Sequence, residues 1–549
     1  MYQESYLQKS LEQIPRILSI EDRESTSLTY GCFDRRWWAW KFKDFPDATL
    51  QRAVYLLSLV FQNKFNNNIY FHNKHIGQWI KAGILYWLKI QHQNGSYDQA
   101  FPYEFSFGAT AFTLGPLIKS FLITQNYFSS QEKNQILQGF TKAANFLVRH
   151  NELHGLISNH LAGAAISLSL ASDLLNNPAY QKKSQKIVNY IIENQSPDGW
   201  FHEYGGPDPG YETLGIYYLS QYWQRRHDEP LLKALKKSIN FLSYFLHPDG
   251  SYGGEYGSRN TEIFYPAGFK ILEKDIPMAQ IISQRVIQTV HRGKTIIPTY
   301  LDTENLIPLI ENYLESGLIN HPVAEQQKKF LPFEKKNINI FFKHSMILAM
   351  GNSSYYLICN AKKGGVIKIF DKSQQRLVYD DSGYFGQIDH GQCLTTQIAN
   401  QTAKVKIRMN HLSITTNFFK APQQLITPLN LIILRIFNLS LGRNIFLGNF
   451  LKKQLVKTLI SRQKKYPITL NRQINFKENN ITIKDIIQKQ PNTKFHWLIY
   501  GQKFSAIHMG SAKYFQKQQL QNKIAPEPIN LEKLNQKNSL VIFNKITLC

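Results

Sequence analysis

From about Ala53 to Glu315, apolar residues return every third or fourth position in segments such as AVYLLSLVF, HIGQWIKAGILYWLKI, ILQGFTKAANFLV, AGAAISLSLASDLL and LKKSINFLSYFL. That spacing lays one apolar stripe along a helix, and short Gly/Pro/Asn/Asp loops separate the segments, so this half is predicted to be all-α. Several helices end in a similar aromatic-flanked turn: QHQNGSYDQ at 91–99, NQSPDGWFHEY at 194–204 and FLHPDGSYGGEY at 245–256. Gly95, Gly199 and Gly250 are 104 and 51 residues apart, and RHNELHGLISNH fills the longer gap. A repeat of about fifty residues suits two antiparallel helices with their connections, and such hairpins bury their apolar faces only by stacking on neighbours. An incomplete α/α toroid over residues 1–320 is therefore expected.

After about Pro322 the pattern shortens to β-branched and aromatic runs, among them NINIFF, YYLICN, GGVIKIFD, LSITTNFF, ITIKDII and SLVIFNKITL. Many alternate with period two between turn signals, which predicts an antiparallel β-sandwich over 321–549. A segment inside an insertion at about 420–465 breaks the pattern. Residues 428–465 combine long apolar stretches with Arg435, Arg443, Lys452, Lys453, Lys457, Arg462, Lys464 and Lys465. One interpretation is an interfacial helix in peripheral contact with an anionic membrane. The other, which we favour, packs it across the sandwich or back on the toroid.

Composition adds direction. The 549 residues are 43% hydrophobic and 13% aromatic, enough for two large cores, and 64 Lys and Arg against 39 Asp and Glu leave a charge of +25. Such a field draws polyanions. No zinc-finger spacing, Gly-rich aromatic strand motif or basic heptad helix is seen, so no nucleic acid partner is expected. Cys32, Cys359, Cys393 and Cys549 are scattered without a CxxC, predicting reduced thiols and no zinc site. The start, MYQESYLQKSLEQIPRIL, lacks the basic and apolar regions of a signal peptide, so the expected location is cytoplasmic, with a peripheral inner-membrane variant.

The chemistry-bearing residues cluster at the turns. Ser158-Asn159-His160 stands at one, Asp198 to Tyr211 (DGWFHEYGGPDPGY) at the next, and Gly-Ser-Arg259-Asn-Thr-Glu262 after the third. A toroid would bring them to one cleft. For a 4-linked uronic acid glycan, β-elimination needs a donor that neutralises the sugar carboxylate, a base at C5 and an acid at O4. Asn159 is a neutral donor, Arg259 offers a forked carboxylate contact, and His160 and Tyr211 can exchange a proton, base and acid unassigned between them.

The order toroid then sandwich, the Asn159-His160 pair and the DGxxxEY…GPDPGY segment resemble the heparinase II/III and alginate lyase group of polysaccharide lyases. The resemblance implies a lyase acting on an acidic polysaccharide, with Asn159, His160 and Tyr211 as neutraliser, base and acid. It also implies a cleft-lining turn at Gln99–Phe112, which includes Glu104. Where the group has Glu-Gly-Pro, this chain has Glu203-Tyr-Gly-Gly-Pro, which makes Tyr204 a rival to Tyr211. His202, beside it, and Trp38, in the DRRWWAW cluster, complete the candidate substrate contacts with Arg259, Tyr204, Glu104 and Glu262. No cofactor is expected, with a structural metal in the sandwich left open, as is the oligomeric state.

Blander roles compete. Asn159 could be only an N-cap, Tyr211 a packing aromatic, Arg259 and Glu262 a structural ion pair, and the tryptophans core. Competing functions are uronate C5-epimerisation, glycoside hydrolysis through Asp198 with Glu203 or Glu104, and glycan binding without turnover. Terpene cyclisation lacks its DxDD motif.

Overall fold

The computed structural model describes residues 4–152, 156–320, 330–421, 425–456, 464–501, 503–504, 514–516, 520 and 529–548. The expected domain boundary at 320/321 and the insertion residues Lys457 and Arg462 fall at or beyond the edges of those stretches.

The helical half is a double ring. Its inner helices are α1 (Ala53–Gln62), α3 (Phe107–Thr124), α5 (Ser158–Leu175), α7 (Pro209–Arg226), α8 (Ala267–Ile271) and α9 (Thr303–Leu318). Each packs on the next, and α9 returns to α1 to close the circle. Between them run outer helices, including α2 (Lys74–Lys89), α4 (Ser130–Arg149) and α6 (Pro178–Glu193). Because inner and outer helices alternate along the chain, the inner ones run the same way. Their C-terminal ends together line a cavity of about 380 Å³, through Leu59, Lys119, Leu170, Arg225, Glu315 and Leu318. The functional turns sit at the opposite, N-terminal end. The axis between is polar and internally paired: Arg52 pairs with Glu311 at 2.9 Å, and Tyr217 and Tyr55 donate to Glu311 and Glu315, each at 2.7 Å.

The repeat seen in the sequence has a mechanical basis. Gly95, Gly199 and Gly250 have φ of 91°, 106° and 88°, and each N–H closes a turn on the carbonyl three residues earlier. A Cβ on Gly95 would lie 2.1 Å from the Lys142 carbonyl oxygen, and one on Gly199 2.8 Å from that of Lys237. Each turn thus abuts the next outer helix closely enough that only glycine fits. Gln91 and Gln195 repeat one clamp, each donating both to its own turn glycine and to that neighbouring helix, at Gly139 or Ala234.

The C-terminal half is two antiparallel sheets. Strands β1 (Ile338–Phe342), β2 (Ile347–Gly351), β3 (Tyr355–Asn360), β4 (Val366–Asp371) and β5 (Arg376–Asp381) form a five-stranded meander. The second sheet holds β6 (Tyr384–Ile388), β7 (Gln392–Thr395), β8 (Lys404–Arg408), β9 (His411–Lys420), β10 (Lys465–Phe476), β11 (Asn480–Gln488), β12 (Phe495–Tyr500) and β13 (Ser539–Thr547). Leu357, Ile367 and Ile369 of the first sheet meet Leu412, Ile414 and Ile483 of the second. The other face of the first sheet, with Ile347, Tyr356, Ile358 and Phe370, joins the toroid core. Buried on both faces, β2 to β4 read as continuous apolar runs, while β9 and β11 keep the alternation expected of one wet face. Cys32, Cys359 and Cys393 are buried and unbridged.

The insertion leaves the sheet between β9 and β10 as two helices, α10 (Pro428–Leu439) and α11 (Ile445–Val456). It reaches the toroid, where Arg435 pairs with Asp44 at 2.8 Å and Ile445 packs on the core.

Candidate active site

Helix α5 begins at Ser158 without a side-chain cap, so its first-turn side chains are available for other work. Asn159 does not cap. Its backbone N–H donates to Glu203 Oε1 at 3.0 Å and its Nδ2 to Glu203 Oε2 at 2.8 Å, a two-point clamp on a buried carboxyl. The segment bearing Glu203 is itself docked on α5, Ser158 N–H donating to the His202 carbonyl at 3.0 Å. Burial pushes the Glu203 carboxyl up to about 8, against the opposing pull of Arg259 and the Asn159 N–H.

His160, the next residue, faces Glu152, with Nδ1 2.7 Å from Oε2. A carboxylate only accepts, so Nδ1 carries a proton, and in the neutral ring Nε2 then holds the lone pair. The imidazole stands edge-on to Phe112 at 5.1 Å, and a Cβ on Gly108 would come within 3.2 Å of Nδ1, which puts the start of α3 against the ring.

Tyr211 lies in the first turn of α7, whose N-cap Asp208 accepts its N–H at 3.0 Å. The other Asp208 oxygen accepts the backbone N–H of Arg259 at 2.8 Å and of Thr261 at 3.3 Å. One cap carboxylate therefore holds both the tyrosine helix and the arginine loop. The Arg259 guanidinium sits 3.6 Å from the Tyr211 ring centroid and 4.8 Å from that of Tyr204, with Nη1 3.9 Å from Glu203. Asn159, Glu203, Arg259 and Tyr211 form one connected chain, and Gly215 of α7 packs on Asn159. The three distant turns meet.

The sandwich supplies the back wall. Buried Lys363, between β3 and β4, donates to the carbonyls of Glu255 and Gly257 at 2.6 and 2.8 Å and to Asn260 Oδ1 at 2.5 Å, holding the loop that presents Arg259. Burial lowers its ammonium to about 7, with Glu255 and Asp208 opposing.

The remaining candidates have other partners. Tyr204, at φ 52°, shares the arginine, and burial pushes its phenol to about 12. His202 lies against Trp200 at 4.5 Å, its ring held below the usual range by burial and Lys362. Glu104 accepts the backbone N–H groups of Gln99 and Ala100 at 3.0 and 2.7 Å, bracing their loop. Trp38 donates to the Ile20 carbonyl at 2.9 Å beneath Arg35. Glu262 does not pair with Arg259. It turns to the sandwich lysines Lys368 and Lys503, at 3.2 and 2.6 Å; burial alone would raise its carboxyl, but those lysines bring it to about 2. Asp198 also faces the sandwich, accepting the N–H groups of His344 and Ser345, both at 2.9 Å. Glu152 and Lys363 escaped the sequence reading. Glu152 sits in the polar string RHNELHG, where its one signal is an acid eight residues before His160, and Lys363 lies in a different domain. Among the described residues, no three His, Cys, Asp or Glu side chains converge as a metal site.

Six inner helices aim their N-termini at this end, adding positive dipole ends to Arg259 where an anion would sit. Residues 69–265, which include Asn159, His160, Glu203 and Tyr211, match the family model of the ulvan lyase N-terminal domain. Over that stretch the chain is similar to a polysaccharide lyase domain. Chondroitin AC lyase of Streptomyces coelicolor A3, solved with chondroitin sulphate, shares the toroid-and-sandwich fold at a TM-score of 0.54. That match has 8% identity and covers 89% of this chain and 67% of the other. Heparan sulfate lyase from Pedobacter heparinus aligns with this chain at a TM-score of 0.43 and 11% identity, over 88% and 69% of the two chains. No curated protein matches in sequence.

Proposed function

We propose that this protein is a lyase that cleaves a uronic-acid-containing polysaccharide by β-elimination. The observation that carries the proposal is the continuous contact from Asn159 through Glu203 and Arg259 to Tyr211, with His160 beside Asn159 on the same helical turn. Asn159 has a second amide N–H beyond the one given to Glu203, and Arg259 Nε is buried without an acceptor among the described residues. Both suit a sugar carboxylate. Their donors draw off its charge, making the C5 proton more acidic and stabilising the enolate-like intermediate. His160 Nε2 takes the C5 proton, the C5–H electron pair becomes the C4–C5 double bond, the C4–O4 bond breaks, and the Tyr211 hydroxyl protonates the departing O4.

Hydrolysis finds less support, because Glu104 and Asp198 are spent on backbone N–H groups and Glu203 on Asn159. The test is incubation with a panel of acidic polysaccharides, following the ultraviolet absorbance of the unsaturated product, beside Asn159→Ala and Tyr211→Phe. The expected result is absorbance with at least one polymer and its loss in both variants. Unchanged rates in the variants reject the assignment, and chain shortening without new absorbance rejects the elimination.

A further inference from the structure

The insertion exposes apolar side chains that a water-facing surface does not require. On α10, Leu429, Ile432, Ile433 and Ile436 are 55–66% exposed, and on α11 Phe446 is 80% and Phe450 62% exposed. Exposed Trp40 and Phe42, stacked at 6.1 Å, lie just before Asp44, the residue that anchors α10 through Arg435. Contiguous apolar surface of this kind marks an interaction site.

Charge identifies the partner. From His390 to Lys477 the chain has fourteen Lys and Arg and not one Asp or Glu. Arg443, Lys453, Lys464 and Lys465 are exposed around the two helices. A second copy docking the same patch would bring these like charges together, and the aliphatic row of α10, Leu429, Ile432, Ile433 and Ile436, offers a sugar no flat face. A bilayer with anionic headgroups accepts both the isoleucines and the cations. Each helix has twelve residues, too short to span a bilayer and long enough to lie in its interface.

We infer that α10 and α11, with Trp40 and Phe42, dock the protein on an anionic phospholipid surface. The docking face is at the catalytic end of the toroid. Arg443 lies 5.1 Å from the Tyr103 ring, in the loop leading into α3, and the start of α3 touches His160. The cleft is thereby held beside the membrane, where a polymer attached to or emerging from it would be met. This inference stands independently of the lyase chemistry.

The test sediments the full-length protein with phosphatidylcholine vesicles, with and without phosphatidylglycerol, beside Ile432→Ser/Ile436→Ser/Phe446→Ser and Lys453→Glu/Lys465→Glu. The expected result is binding to the anionic vesicles that weakens with salt and falls at least ~10-fold in each variant, while turnover of soluble polymer stays at the wild-type level. No binding to anionic vesicles, or equal binding by the variants, overturns it. A stable dimer that the same substitutions dissolve would assign the face to a second copy instead.

Discussion

Glu152 meets His160 at Nδ1, so the contribution read from that contact is tautomer and orientation. Replacing it with Gln allows the amide to present an N–H to Nδ1 and moves the ring proton to Nε2. We predict that Glu152→Gln lowers kcat by about 10-fold or more with little change in KM or Tm, whereas His160→Ala lowers kcat by about 10²-fold or more, both read by product absorbance. Glu203 makes a prediction about stability. Its folded carboxyl is raised to about 8 from an ordinary 4.5, so its protonated form favours the fold. That stabilisation is complete below about pH 4.5 and is lost as pH climbs through 8. Unfolding measured against pH should therefore show Glu203→Gln gaining on the wild type across that interval, by roughly a few kcal/mol. Asn159, His160, Arg259 and Tyr211 were legible because they recur at turns of a repeat. The roles of Glu203 and Glu152 were not: a carboxylate clamping an amide and one meant for hydrolysis look alike until their partners are known.

At the scale of elements, the turn glycines make the sharpest claim. Gly95→Ala must move the chain off φ 91° and push the backbone of α4 away from a 2.1 Å collision. A loss of roughly 2–4 kcal/mol is expected, visible as a lowered Tm by calorimetry. The helical repeat was readable for the same reason, since each unit solves the same packing problem with the same residues. The strands were readable as strands, but the double burial of β2 to β4 was not, because a run of apolar residues does not say that a toroid covers its second face. The insertion was expected to pack on the body. It does so through Arg435, Arg443 and Ile445, and leaves most of its apolar side chains outward.

The whole molecule depends on its domain seam. Tyr356 donates to the Tyr244 carbonyl at 2.6 Å, Phe342 packs edge-on against Phe241 at 4.9 Å, and Lys363 ties the Arg259 loop. A fragment ending at residue 320 loses all three. We predict that it binds an apolar dye and shows no lyase activity, while its far-ultraviolet circular dichroism remains helical; an active fragment would contradict the role given to the sandwich. The parallel run of the inner helices carries one more consequence. Ring closure is borne by helix bodies and by the turn glycines, whereas the candidate site residues ride on connections at a single rim. The connection at 99–105, between its Asp98 and Ser106 anchors, carries none of Asn159, His160, Glu203, Asp208 or Tyr211, so exchanging it for others of matching span leaves the barrel beneath in place and puts a new polymer preference within reach by rebuilding one edge alone.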